Sequence, residues 1–244
     1  EMLKKFGITT LVEEGDANDL NASALALGGM TKGTTTLEMA SAFSTFPNNG
    51  VRYDTSSFTK VVDKQGNVIL ENKPKEHKVL DEGVAWIMAD MLSSVVNSAA
   101  ANYAQISGVF VGGKTGTTND TFDDWFNGFT PTYSASLWIG SDYGVSLSEH
   151  SIIATYIWGN IMRNINKVYD GSRAARPANV ISYNGEYYIN GTQSGAKSVS
   201  DLKSREVEIC EESGYLATPD CKHKKKKTYD VFSEDKIPEY YCNI

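Results

Sequence analysis

The sequence predicts an α/β fold of the α+β type, an antiparallel sheet flanked by helices, and three observations carry that prediction. Between Gly108 and Asp142 three short β-rich segments follow one another through tight connections, which makes them antiparallel neighbours rather than βαβ units. An amphipathic stretch from Asp81 to Val95 precedes them, and a second, from Ser151 to Ile165, follows. Hydrophobic residues at 41% and charged residues at 22% are those of an ordinary globular chain, and no run approaches the ~18 apolar residues of a membrane span.

Taken in order, EMLKKFG reads as the last turns of a helix, with Met2, Leu3 and Phe6 apolar and Gly7 as the stop. No cap or initiator Met precedes it, so the chain is expected to begin inside an element and to lack the N-terminal part of its domain. Thr35 and Glu38 have capping-box spacing and open a helix from about Thr36 to Phe46, ended by Pro47 and the Asn49-Gly50 turn. Phe58 to Val62, a turn over Lys64 to Gly66, and Asn67 to Leu70 form a hairpin. Asp81 caps the next helix, with Val84, Ile87, Met88, Met91, Leu92 and Val95 as its apolar face.

SGVFVGGKTGTT is short and rich in glycine and β-branched residues, so a strand runs through Lys114. WFNGFTP and YSASLWIGSD supply two more strands around a turn at Thr130 to Tyr133. SIIATYIWGNIMRNI is a helix that packs Ile153, Ile157, Trp158 and Ile161 across the sheet. Trp86, Trp138 and Trp158 fall on core faces, while Trp125 can border a cleft. Near Arg176 the character changes to short polar segments, an AsnGly hairpin signal in YNGEYYING, and all three cysteines. The chain therefore divides into residues 1–176 and a tail module, 177–244.

The net charge of −7 gives no attraction to nucleic acid, and the one basic run, Lys222 to Lys227, reads as a solvated flexible loop. His77, His150 and His223 are scattered and take surface or capping roles.

The chemistry concentrates in GGKTGTTND. An acyl transfer through a tetrahedral oxyanion, on a carboxylate-ended substrate lying along a sheet edge, needs what this strand offers. Exposed strand backbone pairs with an extended substrate, and Gly116 lets it approach without a side-chain clash. Thr115 and Thr117 alternate with Gly116, so both hydroxyls face one side and can bind a carboxylate. The Thr117 N–H can help form an oxyanion hole, and Lys114 brings a positive charge that must reach around the strand end.

GKTGTTND followed by DDWFNGFTPTYSASLWIG resembles the third active-site motif of penicillin-binding transpeptidases. LALGGMTKGTTTLEMASAFSTFPNNG and the tail ICEESGYLATPDC resemble the matching segments of bifunctional, class A penicillin-binding proteins, in the same order. The resemblance implies an α/β sandwich with helices on both faces of an antiparallel sheet. It implies that Lys114 and Thr117 are catalytic, Lys114 in the hydrogen-bonded network and Thr117 through its N–H. Thr115, Gly116, Thr117 and Thr118 would bind substrate or β-lactam, and Asp124 and Trp125 would be structural. The implied reaction is peptidoglycan cross-linking on D-Ala-D-Ala stem peptides through a serine acyl-enzyme, without a cofactor. The implied parent carries a glycosyltransferase domain and a membrane anchor outside this chain and works on the extracellular face of the bacterial membrane.

The family also needs a nucleophilic serine with lysine three residues on, and an SxN motif, both upstream of KTG; no such serine is in its required place, and the chain is read as having no SxN. Ser57 to Lys60 falls in the predicted hairpin, and Ser194 to Lys197 and Ser200 to Lys203 lie in the tail. The serine is therefore expected on an associated N-terminal fragment, leaving this chain a binding wall that is inactive alone. A DD-carboxypeptidase or β-lactamase-like hydrolase, or a non-catalytic wall-binding or β-lactam-sensing module, are the alternatives. For the tail, a Cys210–Cys221 disulfide suits an extracellular protein, and a zinc site of Cys210, Cys221, His223 and Cys242 is the alternative, with a spacing that matches no compact finger.

Overall fold

The computed structural model describes residues 1–99, 101–147, 152–165, 171–193, 203–213, 215–231 and 241–242. Among the described residues the α-helices are α1 (Met2–Lys5), α2 (Ala22–Ala26), α3 (Thr36–Ser44), α4 (Glu82–Val96) and α5 (Ile152–Ile165). The strands are β1 (Val51–Tyr53), β2 (Lys60–Val62), β3 (Val68–Glu71), β4 (Glu76–Lys78), β5 (Gly112–Thr117), β6 (Asp123–Phe129), β7 (Ser134–Gly140), β8 (Val180–Tyr183), β9 (Glu186–Ile189), β10 (Lys203–Cys210) and β11 (Lys224–Val231).

Local signals set most of these boundaries. The Thr35 hydroxyl accepts from the Glu38 N–H while the Glu38 carboxylate accepts from the Thr35 N–H, the reciprocal box that opens α3. Asp81 accepts from the Gly83 N–H at 2.9 Å and opens α4. The hairpins β2-β3 and β8-β9 form as expected, the latter turning on Asn184 and Gly185, both at positive φ.

The central sheet is antiparallel in the order β5-β6-β7. Its register sets Thr115 opposite Phe126 and Gly116 opposite Trp125, and Phe126 opposite Leu137. Since side chains alternate across a strand, Phe126 and Phe129 point to opposite faces. Phe126 enters a core with Val96, Val111, Ala154, Trp158 and Met162, so α5 covers that face. Phe129 packs with Ala89, Leu92, Phe43 and Phe46, and the Ser134 hydroxyl bonds to the Ala40 carbonyl, so α3 covers the other. Helices therefore flank both faces of the sheet.

Several expectations are corrected. On α5 the buried residues are Ala154, Thr155, Trp158, Gly159 and Met162, while Ile157 and Ile161 are exposed. The small residues win the inner face because they admit close approach: a Cβ on Gly159 would sit 2.1 Å from the Tyr103 carbonyl oxygen. On α4 the buried face centres on Ala85, Ala89, Leu92 and Val96, leaving Val84 and Met91 exposed. Trp86 and Trp158 are buried, but Trp138, expected in the core, is 36% exposed.

The chain divides into residues 1–190 and 191–244, a later boundary than Arg176. What holds residues 171–190 to the first unit is specific. The Arg173 guanidinium lies 3.4 Å above the Trp86 ring, Trp86 Nε1–H donates to the Ala174 carbonyl at 3.0 Å, and Tyr187 meets Trp86 edge-on at 4.9 Å. In the second unit, the lysine run is a strand rather than a loop. Lys224 to Lys227 pair in register with Cys210 to Val207, and Lys226 Nζ bonds Glu206 at 2.7 Å, so alternating acids and bases favour the ladder. Among the described residues no helix is long and apolar enough to cross a membrane.

Candidate active site

Strand β5 changes character along its length. Gly112 and Gly113 are buried: a Cβ on Gly113 would fall 2.6 Å from Phe126 Cζ and 2.8 Å from the Asn127 carbonyl oxygen. Only glycine lets the strand lie this close to β6 and its aromatic core. Beyond that anchored end, Lys114 and Thr117 are exposed and Thr115 and Gly116 half-buried. Among the described residues β5 pairs with β6 alone, so its outer edge carries no strand and leaves backbone groups for an extended ligand.

The predicted parity is present. Thr115 and Thr117 stand opposite Phe126 and Asp124 and share one face, whereas Lys114 and Gly116 stand opposite Asn127 and Trp125 on the other. Lys114 Nζ turns along the strand and donates to the Thr115 carbonyl at 2.9 Å. A Cβ on Gly116 would press on Trp125 Cβ at 3.3 Å, a second reason for glycine there besides ligand approach.

The end of the β5-β6 hairpin is organised by a residue that the motif did not single out. The Thr118 hydroxyl donates to Asp123 Oδ2 at 3.1 Å, the Asp123 N–H donates back to Thr118 Oγ1 at 2.9 Å, and Trp138 Nε1–H donates to Asp123 Oδ1 at 2.7 Å. Thr118, expected to bind substrate, thus has its hydroxyl engaged within the turn. Trp138 stacks near Trp125, with ring centroids 6.3 Å apart. Thr118, Asp123 and the two indoles form one wall of a groove of about 730 Å³ whose other wall is the segment Gly28 to Thr36.

Behind the strand, Asp124 is buried and accepts from the Ala154 N–H at 3.0 Å, in the first turn of α5. Burial pushes its carboxyl above the ordinary range, opposed by that N–H, and its Oδ1 has no hydrogen-bond partner among the described residues. The structural role expected for Asp124 follows from this geometry, because it ties the motif hairpin to the helix beneath.

Among the described residues, the string Ser57 to Lys60 forms no helix. Ser57 lies in an exposed segment before β2, and Lys60 is on that strand. Ser194 to Lys197, Ser200 and His150 lie outside the described residues. A string of the SxN form, Ser182-Tyr183-Asn184, does occur, but after KTG and in the β8-β9 hairpin turn. In the tail, Cys210, Cys221 and Cys242 converge, which no spacing rule announced.

The family model described as penicillin binding protein transpeptidase domain matches residues 1–142, and that for the penicillin-binding protein 1A C-terminal domain matches residues 205–244. The chain belongs to the penicillin-binding protein transpeptidase family. It is 37% identical over 203 residues to penicillin-binding protein 1A of Clostridium acetobutylicum, an alignment covering 82% of this chain and 24% of that protein. Among solved structures it is similar to penicillin-binding protein 1A of Haemophilus influenzae, with a TM-score of 0.60 at 18% identity over 98% of this chain and 37% of the other. It is likewise similar to PonA1 of Mycobacterium tuberculosis in complex with penicillin V, with a TM-score of 0.61 at 22% identity over 76% and 52%. The penicillin-binding protein chain described here thus spans about a quarter of the length of its Clostridium acetobutylicum relative.

Proposed function

We propose that this chain supplies the KTGT wall of a peptidoglycan-cross-linking DD-transpeptidase whose nucleophilic serine lies on a preceding part of the whole protein. The observation that carries the reading is β5: an edge strand anchored by buried glycines at one end, presenting Lys114 to Thr117 at the other.

In this reading a stem peptide ending in D-Ala-D-Ala lies antiparallel to β5 and pairs with its free edge. The Thr115 and Thr117 hydroxyls, on one face, take the terminal carboxylate, with the Thr118 end of the hairpin beside them. The serine Oγ attacks the penultimate carbonyl carbon as its proton passes into the network that holds Lys114, and the Thr117 N–H stabilises the oxyanion. Terminal D-Ala leaves with a proton, and a neighbouring stem amine then displaces the serine from the acyl-enzyme. A β-lactam would follow the first half of this course and stop at the acyl-enzyme. No step uses a cofactor, and the parent would be held at the outer face of the membrane by a segment outside this chain. The exposed isoleucine stripe of α5, with Ile157, Ile161 and Ile165 at four-residue spacing, supports association with a further part of the domain.

The test is denaturing mass spectrometry after incubation with a penicillin. In the whole protein the adduct is expected on a serine outside this chain, and this chain alone should stay unmodified. An adduct on Ser57, Ser194 or Ser200 would sink the assignment. In the whole protein, Lys114→Ala should slow acylation by roughly 10²–10⁴-fold with unchanged thermal unfolding, the scale of a lost proton-transfer group.

A further inference from the structure

The second unit, residues 191–244, contains a group that the transpeptidase reading does not use. The sulfurs of Cys210, Cys221 and Cys242 all lie within 4.8 Å of one another, and His223 lines the same cavity of about 250 Å³. Tetrahedral zinc with Zn–S bonds of about 2.3 Å places its sulfurs roughly 3.8 Å apart, so the three stand close to liganding separation. We propose that Cys210, Cys221, Cys242 and His223 form a structural zinc site that holds the tail module together.

Backbone bonds bring the four together from separate segments. Cys210 ends β10 and its N–H donates to the Tyr215 carbonyl, while the Cys242 N–H donates to Leu216 at 2.8 Å. Leu216 also bridges Ile209 and Tyr241, so the neighbours of two ligands meet on one residue. The Glu211 N–H donates to the His223 carbonyl at 3.1 Å, which sets the histidine segment beside Cys210.

Donors also converge on the sulfurs. The Thr218 N–H lies 3.3 Å and its hydroxyl 3.4 Å from Cys221 Sγ. The N–H and hydroxyl of Ser213 are likewise directed at the Cys210 sulfur. Hydrogen bonds of this kind orient and stabilise thiolate ligands, and a disulfide would use two of the sulfurs and leave the third aside. Zinc would take three thiolates and one neutral imidazole nitrogen, the thiols releasing their protons on binding; the site then carries one net negative charge, in a cavity also lined by Lys222, Glu212 and Asp220.

The module needs a staple. Among its described residues the buried apolar side chains are Ile209, Cys210 and Cys242, far short of a core that would stabilise so small a unit by itself.

The experiment uses the whole chain, purified without chelator or reductant. Metal analysis is expected to give one zinc per chain, with three cysteines that resist a thiol reagent until the metal is removed. Cobalt(II) loaded in place of zinc should give the sulfur-to-cobalt charge-transfer bands and intense visible bands of a tetrahedral thiolate site. Cys221→Ser and Cys242→Ser should each weaken zinc binding by at least about tenfold. The cobalt spectrum needs no variant, so misfolded mutants would not shield the proposal. A mass deficit mapping to a Cys210–Cys221 disulfide overturns it, as does a folded chain whose three thiols react freely and give no charge-transfer band.

Discussion

Asp124 and the Ala154 N–H, separated by 30 residues, meet at 3.0 Å, so that the strand position opposite Thr117 also closes the first turn of α5. The contact joins the hairpin that presents the motif to the helix that supports it. Asp124→Ala leaves a buried N–H without its acceptor and should destabilise by about 1–3 kcal/mol in thermal unfolding. Asp124→Asn keeps an acceptor and should cost less. Because burial raises the Asp124 carboxyl in the folded state, protonation favours folding. Its contribution is therefore fullest below the ordinary carboxylate range and is lost as pH rises through the raised value, and the Asn variant should lack that dependence. Equal stability of the Ala variant and the parent would remove Asp124 from this role.

The two ends of β5 should respond differently to the same substitution. Gly113→Ala forces a Cβ to within 2.8 Å of the Asn127 carbonyl oxygen, which the paired strand cannot yield without breaking register. A loss of about 1–3 kcal/mol is expected, as for overpacked cores. Gly116→Ala meets only Trp125 Cβ at 3.3 Å and should fold nearly normally. In the whole protein it should nevertheless impair penicillin acylation, since the added methyl stands where a ligand would lie. Chemical denaturation of both variants, with acylation rates for the second, separates packing from binding.

What the sequence made legible follows the same division between local and distant causes. Caps and turns act within four residues, so Thr35 with Glu38, Asp81 and the Asn184-Gly185 turn announced α3, α4 and the β8-β9 hairpin. The face that a helix buries depends on what approaches it. On α5 the isoleucines outweigh Ala154 and Gly159 in hydrophobicity, yet the smaller residues face the core because Tyr103 comes so near. Trp138 was likewise misplaced, since its exposure depends on a bond to Asp123 across two strands. The KTGT strand was readable because glycine and hydroxyl parity is local, but Asp123 was not, its partners being Thr118 and Trp138. The cysteine cluster depends on contacts among three tail segments, which spacing alone could not report.

Glu38 couples the start of α3 to the N-terminal segment, accepting from the Thr9 N–H and hydroxyl at 2.7 Å each as well as from Thr35. Desolvation works against its ionisation, but those donors prevail and hold it at about 2, below its ordinary 4.5. A depressed carboxyl contributes stability that is complete above the ordinary value and is lost as pH falls through the folded one, so the window runs from about 4.5 down to about 2. Glu38→Gln should flatten the acid limb of the stability curve in that window, and Glu38→Ala should cost about 1 kcal/mol at neutral pH, as for a lost cap. An unchanged acid limb in the Gln variant would show that other carboxylates govern acid unfolding.

Arg173 fastens residues 171–190 to the rest of the first unit, and its chemistry makes the position intolerant of lysine. The guanidinium stacks 3.4 Å above Trp86 and 5.0 Å from Phe110 while its Nη1 bonds Asp90 Oδ1 and its Nη2 donates to the Trp86 carbonyl. A planar fork can stack and donate sideways at once, whereas an ammonium group cannot. Arg173→Lys should therefore destabilise by about 1–2 kcal/mol, the scale of a partly desolvated cation–π contact. A double-mutant cycle with Asp90→Asn should give a coupling of at least about 0.5 kcal/mol, because the two side chains share one hydrogen-bonded network. Proteolysis supplies the second readout: loosening this staple should expose residues 171–179 to cleavage before the sheet unfolds. If Arg173→Lys leaves both stability and cleavage unchanged, then Trp86, Ala174 and Tyr187 alone fasten residues 171–190 to the first unit.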